Sequence, residues 1–129
     1  MHHPFVQYLI GRSLISEADA RQLGETVRLA REPIGMIAVE HGLLSAPQID
    51  TILDRQRRSK ERFGEIAVGL GFLTAEQVGT LVKIQEFRTA GAITEALALG
   101  GLMRHEDAVR HLGAFFVKDE EVTEMMMGD

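Results

Sequence analysis

Five basic residues, Arg55, Arg57, Arg58, Lys60 and Arg62, fall within eight consecutive positions, interrupted only by Gln56, Ser59 and Glu61. A guanidinium group pairs with phosphate through a planar fork of donors and also stacks on a base. Gln56 and Gln85 each carry an amide that offers both a donor and an acceptor to a base edge. Gly35 and Gly64, lacking a Cβ, would let a ligand approach the backbone closely. Together these residues suit an anionic ligand that carries bases. Each also has a plainer reading. The basic run fits a solvated helix end, where cations favour the C-terminal dipole. The glutamines fit a helix surface, and the two glycines fit close packing between helices, which would offset their poor helix propensity.

Other chemistries find less support. The chain has no cysteine, which excludes disulfides, thiolate nucleophiles and cysteine metal sites, and fits a reducing compartment. Its five histidines form no metal-binding pair: His105 and His111 stand on different faces of a helix, His2 and His3 lie at the chain start, and His41 precedes a turn glycine. No phosphate-binding loop and no nucleophile motif is present, and the acid pair Glu106-Asp107 reads as first-turn helix charge. The expectation is a non-enzymatic protein without metal or cofactor. Nucleic-acid binding is not expected either, because the basic run is a small footprint with no aromatic residue interleaved.

An internal repeat positions these residues. Residues 33–56 and 62–85 align without a gap over 24 positions and are joined by a five-residue spacer, which gives a period of 29. Gly35 matches Gly64, Ala38-Val39 matches Ala67-Val68, Gly42 matches Gly71, Leu43-Leu44 matches Phe72-Leu73, and Gln56 matches Gln85. Degenerate outer copies occupy 4–27 and, with one extra residue, 92–115. Each unit reads as a helical hairpin. Ile34, Ile37 and Ala38, or Phe63, Ile66 and Ala67, line one face of a short first helix. Gly42 or Gly71 closes it in the left-handed conformation. Ser16, Ser45 or Thr74 caps the second helix, and Gln48 and Gln77 complete capping boxes in the inner copies. Pro47 sits in the first turn of its helix, where its missing N–H costs nothing. Ile49, Ile52 and Leu53, or Val78, Leu81 and Val82, then face inward. The expected fold is all-α: stacked helix-turn-helix repeats, about four helix pairs, forming a single domain over 1–118.

The inner tandem resembles the MshEN domain found at the N-terminus of type II secretion and type IV pilus assembly ATPases. That domain carries two 24-residue motifs of the form R-L-G-x-x-L-V-x-x-G-L-L-x4-L-x3-L-x2-Q, separated by five residues. Arg62, Gly64, Val68, Gly71, Leu73, Val78, Val82 and Gln85 stand at motif positions in one copy, and Gly35, Val39, Gly42, Leu43, Leu44, Ile49, Leu53 and Gln56 in the other. The resemblance implies one of two roles. Some members bind the bacterial messenger cyclic di-GMP, each motif holding one half of it; others dock a secretion-machine partner and bind no nucleotide. For a cyclic di-GMP site it implies Ile34, Gly35, Val39, Gly42, Leu43, Leu44, Gln56, Arg62, Phe63, Gly64, Val68, Gly71, Phe72, Leu73 and Gln85 as ligand-binding residues. The chain departs from the motif at Pro33, where the family has arginine, and carries Arg31 two residues earlier. It lacks the ATPase motifs of the longer family members.

The charge is unevenly placed. The formal net charge is −5, from 14 Lys+Arg and 19 Asp+Glu. Asp119, Glu120, Glu121, Glu124 and Asp129 hold the whole excess, and residues 1–118 balance at 14 bases and 14 acids. Residues 119–129 therefore read as an acidic tail, ending Met125-Met126-Met127-Gly128-Asp129. Phe115, Phe116 and Val117 form an apolar run suited to the core, a protein partner or a second copy of the chain. No apolar run approaches 18 residues, so no membrane insertion is expected, and the start lacks the features of a signal peptide. A cytoplasmic location is the expectation.

Overall fold

In a computed structural model, residues 2–127 are described, with side chains described for residues 2–118. The helices are α1 (Pro4–Gly11), α2 (Glu17–Ala30), α3 (Ile34–Glu40), α4 (Ala46–Arg58), α5 (Phe63–Gly69), α6 (Ala75–Leu99) and α7 (His105–Met127). Among the described residues there is no strand, and the fold is all-α.

The turn inside each repeat is built the same way four times. Gly42, Gly71 and Gly101 take φ of +70°, +78° and +72°, and Ser13 takes φ of +57° at the equivalent place in the first copy. The next residue then donates its N–H back to the carbonyl five residues earlier: Leu14 to Leu9 at 3.0 Å, Leu43 to Ala38 at 2.8 Å, Phe72 to Ala67 at 2.9 Å and Leu102 to Leu97 at 3.0 Å. This closure satisfies carbonyls that a helix end would otherwise leave bare. Three copies then start the second helix with a reciprocal cap. Ser16 pairs with Asp19, Ser45 with Gln48 and Thr74 with Gln77, each hydroxyl accepting from the third helical N–H. The fourth copy has Arg104 at that place and an ion pair from it to Glu106 instead.

The fourth copy departs from the expected hairpin. Its first helix is not separate, because α6 runs without a break from the third copy into the fourth. Pro33 bars helix before α3, since its ring disfavours the helical conformation in the preceding residue. Ser59 is extended, with φ of −139°, and separates α4 from α5. Between Gln85 and Ala92 the chain holds no proline, and Gly91 alone costs a helix only about 1 kcal/mol. Burial of Thr89, Ala90 and Ile93 outweighs it.

The chain divides into two compact units, and the division falls inside α6 rather than at a repeat boundary. One unit spans Arg31–Phe87 and holds the second and third copies. Its core is Ile37, Ala38, Leu44, Ile52, Ile66, Ala67, Leu73 and Leu81, with α4 packed on α5. The other joins residues 2–30 to the chain from Arg88 onward, pairing the first copy with the fourth. There α1 packs against α2 and α7, around Phe5, Val6, Leu9, Leu23, Ile93 and Leu97.

Several expected positions differ. Val82 is exposed rather than inward, and Ile84 packs on the core instead. Phe115 and Phe116 pack on the core of their unit, the Phe115 ring lying 5.3 Å from that of Phe5, while Val117 is 58% exposed. The α7 backbone continues through the acidic segment to Met127. The side chains of residues 119–129, including Met125 to Met127, lie outside the described ones.

Candidate ligand-binding tandem

The glycines that begin each motif are occupied by packing. A Cβ on Gly35 would come 2.8 Å from Phe63 Cζ and 3.1 Å from Ile49 Cδ1, and one on Gly64 would come 2.6 Å from Val78 Cγ1. Both glycines are buried, so the missing side chain serves helix approach at these places. Phe63, the first residue of α5, thereby sits against the start of α3 in the other copy. Ile34 packs on the same core.

The remaining motif residues separate by depth. Leu44 and Leu73 belong to the core. Leu43 and Phe72 are half-buried beside it, and Gly42 and Gly71 are exposed at the turns. Val39 and Val68 hold the same place in the two copies and are 39% and 38% exposed. Gln56 is half-buried near the end of α4. Gln85 donates from Nε2 to the Glu32 carbonyl at 2.8 Å, across 53 residues of chain. The end of the second motif is thus fastened to the start of the first.

The basic junction is partly neutralised. Arg55 pairs with Glu61 at 3.4 Å, and Asp54 takes both Arg58 at 3.2 Å and Arg57 at 3.8 Å. These pairs are solvent-exposed, and each contributes little to stability. Arg62 caps α5, is exposed, and uses its backbone N–H on the Glu65 carboxylate at 3.4 Å. No carboxylate among the described residues lies in ion-pair range of the Arg62 guanidinium or of the Lys60 ammonium.

A groove of about 400 Å³ opens between the two motif copies, lined by apolar Leu43, Leu81 and Ile84 together with His41, Thr74, Glu76, Gln77 and Thr80. Of the expected site residues only Leu43 lines it. Its other members come from the turn of one copy facing the helix start of the other. The repeat alignment contains no signal for that cross-copy juxtaposition. No group of three or more His, Cys, Asp or Glu among the described residues could hold a metal ion, and no described helix is long and apolar enough to cross a membrane. No family model, no curated protein and no solved structure matches this chain.

Proposed function

We propose that the unit spanning Arg31–Phe87 binds cyclic di-GMP through its two motif copies, in a non-enzymatic bacterial signalling protein of the cytoplasm. The observation that carries this reading is the closure of the tandem on itself. Phe63 of the later copy lies on Gly35 of the earlier one, and Gln85 holds the carbonyl of Glu32. Two like copies that meet in this way suit a ligand made of two like halves. Val39 and Val68 offer matched apolar surface, and Arg62 offers an uncommitted guanidinium for a phosphate or a guanine face.

Isothermal titration of cyclic di-GMP into the chain tests the reading. Heat should saturate at one defined stoichiometry, and Arg62→Ala should weaken binding by about tenfold, in line with loss of a charge-assisted pair. Arg21→Ala, an exposed arginine of α2, serves as control. Arg12 is less suited, because its guanidinium sits 4.7 Å from the Tyr8 ring centre. Absence of heat at high micromolar ligand overturns the proposal.

A second reading is a docking module of a secretion, pilus or signalling machine that binds no nucleotide. Filled glycines at 35 and 64 favour it, together with Met36, exposed on α3 beside Val39. Phe116 is half-buried on its core, so Val68→Asp is the better probe of a partner surface. Partner recovery unchanged by Val68→Asp would remove α5 from that surface.

A further inference from the structure

The two copies begin with related tripeptides, Arg31-Glu32-Pro33 and Lys60-Glu61-Arg62, in the same register 29 residues apart. Base matches base and acid matches acid, and only the third place differs. The later tripeptide carries two cations, and neither Lys60 nor Arg62 has an ion-pair partner among the described residues. Pro33 begins the other copy as the N-cap of α3, with φ of −61°, and brings neither charge nor donor. Arg31 is exposed, and no carboxylate among the described residues lies in ion-pair range of it. The Gln85 amide hydrogen-bonds the carbonyl of the residue next to Arg31. So the end of the second motif is fixed beside the only base of the first motif's opening tripeptide.

We infer that Arg31 supplies the cation of the first half-site, pairing with a phosphate of the bound cyclic dinucleotide where Pro33 cannot. This rests on the reading above and deepens it: the half-sites are filled by cations two positions out of register, Arg62 in one and Arg31 in the other. A lysine at position 31 would keep the charge but lose the paired donors.

Titration of cyclic di-GMP into the parent chain and five variants, Arg62→Ala among them, decides it. Arg31→Ala should weaken binding by about tenfold, Arg31→Lys by less, and Arg21→Ala by less than about twofold. Adding Pro33→Arg to Arg31→Ala should restore most of the affinity, because the half-site needs one cation rather than that particular residue. Melting curves followed by circular dichroism confirm that each variant is folded, as expected for an exposed side chain. If Arg31→Ala binds like the parent while Arg62→Ala loses about tenfold, the assignment to Arg31 falls and the ligand reading stands. If the parent chain itself binds nothing, both fall together.

Discussion

The two units use one repeat for different ends, and two of its places show it. At the opening place Pro33 matches Pro4, and only Arg62 against Ala92 differs. Where Gly35 and Gly64 let helices approach, the outer copies have Val6 and Thr94, both buried. Where Gln56 and Gln85 stand, they have Val27 and Phe115, both packed on their core. The junction between paired copies follows suit. Phe115 meets Phe5 ring to ring at 5.3 Å in one unit, and Gln85 meets the Glu32 carbonyl in the other. The outer unit thus packs side chains at the last two places, whereas the inner one uses glycines for close helix approach and glutamines, one of them tied to the Glu32 carbonyl. The proposed recognition by Arg31–Phe87 rests on that contrast.

The largest effect that would sharpen this contrast comes from the cores. Ile52→Ala, at a fully buried site, should cost about 2–5 kcal/mol. Hydrogen exchange should quicken most across α3 to α5, since Ile52 belongs to that core alone. Equal quickening in α1 would break the division into two units. Gly64→Ala comes next: a Cβ only 2.6 Å from Val78 Cγ1 should destabilise by about 1–3 kcal/mol in chemical denaturation. Gly113→Ala on exposed α7, with nothing near its Cβ, should instead stabilise by about 0.5–1 kcal/mol. A tolerated Gly64→Ala would mean that the glycine is not there for packing.

Smaller effects test the shared turn. Ser13 holds a left-handed conformation that glycine holds in the other three copies. Ser13→Gly should stabilise by about 1 kcal/mol, read as a rise of about 3 °C in Tm. Thr74→Ala should cost about 1 kcal/mol through loss of the cap on α6.

Much of this architecture is legible in the sequence because it is local. Gly42, Gly71 and Gly101 mark turns by residue type, and Ser45-Gln48 and Thr74-Gln77 mark helix starts by spacing. Ser13 is found only through the repeat register, since serine by itself does not signal a positive φ. The uninterrupted α6 is harder to read, because what holds Gly91 in a helix is burial of its neighbours and not propensity. The site is less legible than the fold. Asp54 and Glu61 neutralise part of a run that reads as five free bases. Gln85 finds its partner 53 residues away. Gly35 and Gly64 are filled by Phe63, Ile49 and Val78. Only the Gln85 bond and the seating of Phe63 on Gly35 depend on how one copy lies on the other; the Asp54 pairs are local to α4, and Ile49 and Val78 fill their glycines from within the same copy.

The central claim, that the inner tandem and not the outer pair recognises a cyclic dinucleotide, is tested most directly by nuclear magnetic resonance. Amide shifts would be followed through a titration with cyclic di-GMP. Changes are expected at Arg31, Val39, Arg62, Val68 and Gln85, with Leu9, Leu23 and Phe115 undisturbed. Changes centred on the outer copies, or a spectrum unmoved at saturating ligand, would contradict it.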